Sequence, residues 1–142
     1  GWRAVGPDAT ALLNGITQLD ASEYDRKRIE MGVPETGVEL LSDESYILEM
    51  GFQRLNGVDF RKGCYVGQEV TARMKHKTEL RKGLARVSIE GPTPPSGAEI
   101  TSNGKTAGTL RSVVGDNGLA YWRVDRTDGA MTAGEAVVTR IE

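Results

Sequence analysis

Glu99-Ile100-Thr101-Ser102-Asn103-Gly104-Lys105-Thr106-Ala107-Gly108-Thr109-Leu110-Arg111-Ser112-Val113-Val114 reads as two strands around a turn. Asn-Gly is the pair that best tolerates positive φ at both central positions of a two-residue hairpin. The reading places strands over 99–102 and 106–114. Downstream, Asp116-Asn117-Gly118 marks a second hairpin turn, followed by strands over 119–124 and 136–141. Upstream, Gly91-Pro92-Thr93-Pro94-Pro95-Ser96-Gly97 is a stiff loop. Before it, Leu84, Arg86 and Ser88 alternate with Ala85, Val87 and Ile89, which is the period of a strand. Short strands with turn signals at regular spacing point to a small antiparallel β-barrel. This half shows no catalytic cluster.

Ahead of residue 78 the texture is different. Gln68 to Lys75 reads as a helix, and Arg61-Lys62-Gly63-Cys64-Tyr65-Val66-Gly67 before it reads as a tight turn around the only cysteine. Unpaired N–H groups at a helix start favour negative charge, and Arg61, Lys62 and Arg73 add cations nearby. That setting favours a thiolate, hence a nucleophile or a metal ligand. The alternative is a small buried apolar residue, the common fate of a free cysteine. Two earlier helices are expected over 8–19 and 22–31, capped by Asp8 and Ser22. Gly32 and Pro34 stop the second. Near its end, Arg28 and Glu30 are two apart and therefore on different faces. One is expected to face a cleft, and the other solvent or a cap. Residues 35–45 are acidic and irregular. Glu49 interrupts the apolar run Tyr46 to Met50, so it is expected at a pocket edge or paired with a base. Asn56-Gly57 is a turn.

The fold class is therefore α+β, with a boundary near Lys77-Thr78. The 142 residues are 38% hydrophobic, enough for a packed core. No apolar run approaches the roughly 20 residues of a membrane helix, and no signal peptide is visible. One cysteine forms no internal disulfide, which suits a reducing compartment. The chain opens on Gly1 and not Met, and Trp2-Arg3-Ala4-Val5-Gly6 reads like the middle of a fold, so a fragment or a processed product is expected. Between Arg61 and Arg86 lie eight basic and two acidic side chains, a net of +6, whereas the whole chain stands at −2 and the remainder at −8. A basic stripe on an acidic body suggests a local anionic partner. A phosphate, a polyglutamate tail or RNA would fit, with RNA ranked lower because nucleic-acid binders are more often basic overall.

Lys62-Gly63-Cys64-Tyr65-Val66-Gly67-Gln68-Glu69 resembles the signature of the YgfZ family of folate-binding proteins of iron–sulfur maturation, relatives of the glycine-cleavage T-protein. Arg28-Ile29-Glu30-Met31-Gly32-Val33-Pro34, Leu48-Glu49-Met50 and Thr71-Ala72-Arg73-Met74-Lys75-His76-Lys77 extend the likeness, the last toward the mitochondrial branch. The resemblance implies part of a ferredoxin-like folate-binding domain over 1–77 and a C-terminal β-barrel domain over 78–142. It implies tetrahydrofolate as cofactor and Cys64 as the working thiol. Glu30 would hold the pterin, with Arg28, Glu49, Lys62, Tyr65, Gln68 and Arg73 as further cofactor contacts. No resident metal is expected. Iron–sulfur assembly or client proteins would be the partners, with an indirect link to tRNA modification. The compartment would be the cytoplasm in a bacterium or the mitochondrial matrix in a eukaryote. Two other readings stay open. One is a tetrahydrofolate-dependent aminomethyltransferase, against which Cys64 argues because T-proteins lack it. The other is a non-enzymatic module binding RNA or protein through the basic stripe.

Overall fold

The computed structural model describes residues 6–77 and 79–141, the side chains of residues 9, 10 and 77 excepted. The reading of Trp2 to Val5, the side chain of Lys77 and the boundary residue Thr78 lie outside the described residues. Two α-helices, α1 (Ala21–Glu30) and α2 (Glu69–Lys77), precede six strands: β1 (Lys82–Glu90), β2 (Glu99–Ser102), β3 (Lys105–Val114), β4 (Asn117–Arg123), β5 (Met131–Ala133) and β6 (Ala136–Ile141). All pairings are antiparallel, and the order β1-β4-β3-β2-β5-β6 closes on itself. Closure removes the exposed edges that invite aggregation. The α+β class with a terminal barrel is thus as the alternation and turns imply.

The β2–β3 turn is at Asn103-Gly104, with φ of 51° and 71°. The next turn lies one step earlier than expected, at Gly115-Asp116, where Gly115 supplies the positive φ of 59°. Three residues were too few to announce β5, yet it pairs with both β2 and β6 and completes the barrel. Val87, Ile89, Ile100, Leu110, Trp122, Met131 and Val138 fill the interior, each full burial contributing about 1.5–3 kcal/mol.

Gly108 pairs with Trp122, and a Cβ on it would sit 2.6 Å from both the Trp122 Cα and the Tyr121 carbonyl. Backbone atoms in a closed barrel have little room to retreat. Gly108→Ala is therefore expected to lower stability by about 1–3 kcal/mol, read as the thermal unfolding midpoint of the full-length protein.

Outside the barrel, α1 packs on β3 and β4. Its cap is Asp20, which accepts from the Ser22 backbone N–H at 2.8 Å, so Ser22 is not the capping residue. The expected helix over 8–19 shortens to a 3-10 turn at Ala9–Leu13, and Asp8 makes no capping hydrogen bond. Gly15, at φ 79°, breaks the run, and Leu12, Ile16 and Leu19 stay exposed, so no packed face supports a longer helix. Residues 35–57 are a succession of turns.

Candidate functional site

Helix α1 ends in a double hydrogen-bonded C-cap. The Gly32 N–H donates to Ile29 O at 2.9 Å and the Val33 N–H to Arg28 O at 2.9 Å, with Gly32 at φ 65°. This sends Arg28 and Glu30 in different directions, as their spacing requires. The Arg28 side chain is 5% exposed, and its Nη1 donates to Glu39 Oε2 at 2.8 Å and to Val33 O at 3.2 Å. Its Nη2 donates to Ser112 Oγ on β3 at 3.3 Å, and Nε lies 3.3 Å from both Asp25 and Glu35. The Glu39 side chain is fully buried; it accepts from Arg28, from the Glu35 N–H at 2.9 Å and from the Ser112 hydroxyl. Burial works against the Arg28 charge, but hydrogen bonds and charge from Glu39 and Asp25 outweigh it and raise the guanidinium pKa. Arg28 thus latches the helix to the barrel.

A β-bulge makes that latch possible. Between β3 and β4 the register shifts between Leu110 and Ser112, leaving Arg111 without a paired residue. Leu110 belongs to the interior and Val113 packs against it, so the two residues between them face outward. If Leu110, Arg111 and Ser112 alternated in a regular ladder, Ser112 would fall on the interior side.

Glu30 is half-buried. Its carboxylate lies 3.1 Å from Lys27 Nζ and 3.6 Å from Arg26 Nη1, both side chains being exposed. Surface pairs of this kind contribute little and are easily exchanged, so the carboxylate can accept a ligand's donors. Glu49, expected either at a pocket edge or paired with a base, has a phenol for a partner: the Tyr121 hydroxyl donates to its Oε2. Burial, then this bond and the Glu49 charge, push the Tyr121 phenol pKa up, which keeps it a donor.

Cys64 is exposed, which removes the reading of it as a buried apolar residue. Gly63 and Gly67 bracket its turn at φ of 94° and 91°, a conformation that L side chains adopt with strain. Gln68 Oε1 accepts from the Tyr65 N–H at 3.2 Å and closes the turn just before α2. Lys62 Nζ sits 5.2 Å from the Tyr65 ring centroid, and Arg61 Nε lies 3.3 Å from Asp59. Two of the cations expected beside the thiol therefore have partners of their own. Val66 is fully exposed at the tip, and Arg73 points to solvent from α2. The basic stripe is dispersed, because Arg86 turns toward α1 and donates to Glu30 O at 2.7 Å.

Two open clefts occur among the described residues. One, of about 330 Å³, lies beside α1 and is lined by Tyr24, Pro34, Glu35 and Thr36. The other, of about 400 Å³, lies by the β2–β3 turn, lined by residues including Asn103 and Arg126. Neither encloses a pterin-sized ligand beside Glu30. No cluster of three or more metal-ligating side chains occurs among the described residues, and none of their helices is long and apolar enough to cross a membrane. Sequence reasoning missed Glu39 and Ser112, eleven and eighty-four residues from Arg28. A lone acid in an irregular stretch gave no signal of burial.

Residues 81–141 match the family described as the CAF17 C-terminal beta-barrel domain. Over 138 residues, 92% of its length, the chain is 38% identical to the mouse protein named iron-sulfur cluster assembly factor IBA57, mitochondrial. The human protein of the same name is 36% identical over 137 residues, again 92% of the chain. The Aspergillus clavatus homolog is 33% identical over 152 residues, 89% of the chain. The chain spans 38% of the mouse and human relatives and 33% of the fungal one.

Proposed function

Because the chain belongs to the YgfZ/CAF17/IBA57 family, on its mitochondrial branch, we propose that it works in iron–sulfur cluster assembly or repair, with tetrahydrofolate as cofactor and Cys64 as the working thiol. In a eukaryote it would act in the mitochondrial matrix, among iron–sulfur assembly or client proteins. Residues 1–77 would be the C-terminal part of the folate-binding domain and 78–142 the barrel domain. The observation that carries the reading is the exposure of Cys64 on a glycine-bracketed turn. A thiol so placed can meet a cluster held by another protein. One sulfur cannot hold a four-cysteine cluster, so the cluster is cargo. Its remaining ligands come from a partner, a second copy or a small thiol.

Glu30 fits a pterin in chemistry, since a carboxylate accepts two parallel N–H bonds from an amino-pyrimidinone edge. Among the described residues, the side chains beside it are exposed cations on its own helix. When bound, tetrahydrofolate supplies a nucleophilic ring nitrogen and an oxidisable reduced pterin. The protein's part is to accept the pterin's donors at Glu30 and to keep the thiol accessible. Arg73 and its exposed basic neighbours would meet the glutamate tail.

Titrating the full-length protein with tetrahydrofolate by calorimetry tests this. Glu30→Gln retains one acceptor and loses the charge, and it should weaken binding by roughly 10- to 100-fold, as the loss of a charge-assisted pair does. Unchanged affinity with an intact circular-dichroism spectrum would remove Glu30 from the site.

A further inference from the structure

The end of α1 exposes a row of carbonyl groups, and arginines take them one after another. Arg86, on β1, donates to Glu30 O at 2.7 Å. Arg54 donates from Nη1 to Met31 O at 3.0 Å and from Nη2 to Gly32 O at 2.6 Å. Arg28 donates to Val33 O. Cations at a helix C-terminus also meet the negative end of its dipole. Of these arginines, Arg54 is the one that belongs to the segment leading toward Cys64.

Arg54 is carried by the hydrogen-bonded 51–57 turn. The Gly57 N–H donates to Phe52 O at 2.7 Å, with Asn56 at φ 58°. The neighbouring Gln53 Oε1 accepts from Lys75 Nζ at 3.0 Å, and Lys75 lies 5.1 Å from the Phe60 ring centroid. Lys75 is on α2, the helix that follows the Cys64 turn. A continuous run of contacts therefore joins the peptide bearing Glu30, through Arg54 and Gln53, to the helix behind Cys64. Gly32 leaves room for it: a Cβ there would stand 2.8 Å from Arg54 Nη2 and 3.2 Å from Arg86 Cγ.

We propose that Arg54 is a positioning residue that fixes the Glu30 end of α1 against the turn carrying Cys64, through a two-pronged guanidinium bond to the Met31 and Gly32 carbonyls. The assignment rests on the reading of Glu30 as pterin acceptor and Cys64 as working thiol. The fork geometry is specific to arginine, because an ammonium grips one carbonyl well and the second poorly. Bound folate and the thiol then keep a set separation, and displacements of an ångström matter at such sites.

The test uses the full-length protein, its Arg54→Gln variant and its Arg54→Lys variant. Three quantities are read: tetrahydrofolate affinity, the rate of Cys64 alkylation by iodoacetamide with and without tetrahydrofolate, and the thermal midpoint. In the unsubstituted protein, tetrahydrofolate should slow alkylation. In Arg54→Gln, affinity should fall about tenfold and the protection should disappear. Arg54→Lys should recover the midpoint while leaving protection impaired. If both variants shift only the midpoint and keep affinity and protection, Arg54 is a structural tie and the assignment falls, while the reading of Glu30 stands. If the unsubstituted protein shows no Glu30-dependent folate binding, the underlying reading falls and the assignment with it.

Discussion

Glu39→Ala should destabilise the protein by about 3–5 kcal/mol, the usual cost of stranding one member of a buried ion pair. The partner left behind is Arg28, whose side chain is 5% exposed against 0% for Glu39. Glu39 also accepts from the Ser112 hydroxyl and the Glu35 N–H, so removal leaves those donors without their acceptor. Asp25 and Glu35 remain 3.3 Å from Arg28 Nε and moderate the loss. Glu39→Gln should cost less, since it retains an acceptor and a similar shape. Substituting both members, as Arg28→Leu with Glu39→Leu, should recover much of the loss, because no charge is then buried. Urea unfolding of the four proteins checks the series. A double variant no better than Glu39→Ala would show that the latch contributes by more than pairing its charges.

Cys64→Ser should abolish support of iron–sulfur enzymes while leaving the fold untouched. The residue is exposed, and the conformation of its turn comes from Gly63 and Gly67. Its unfolding free energy should therefore change by no more than the roughly 0.5 kcal/mol typical of surface substitutions. A serine hydroxyl does not ionise near neutral pH and does not replace a thiolate as a soft metal ligand. The measurement is the activity of iron–sulfur enzymes in cells whose only copy is the variant, beside a melting curve of the purified protein. Full enzyme activity would take the thiol out of the mechanism.

What could be read from the residues follows a physical divide. The hairpin at Asn103-Gly104 was legible because its chemistry is local: two adjacent residues tolerate the φ values that the turn demands. The end of α1 was legible for the same reason, through Gly32 and Pro34. The stop, expected after Met31 and found one residue earlier, and the turn around Cys64 needed no knowledge of distant contacts. Helix 8–19 failed because spacing of Leu12, Leu13 and Ile16 shows only a capacity for burial, and nothing among the described residues covers Leu12 or Ile16. Strand β5 is held by its neighbours β2 and β6, so its own three residues carried almost no signal. The thiol and Glu30 could be singled out as residues, but the partners of Arg28, Glu49 and Arg54 come from other elements. No local pattern encodes such partners.

The unpaired residue in β3 makes the length of that strand a counted quantity. Changing the side chain at 111 leaves the count intact. Pairing every residue of this strand in an unbroken ladder, at its present length, would turn the hydroxyl two places before Val114 into an oily lumen and pull the helix's anchor away with it. Anyone grafting this barrel onto another scaffold, or re-registering the strand as an idealised ladder, has to carry the irregularity along.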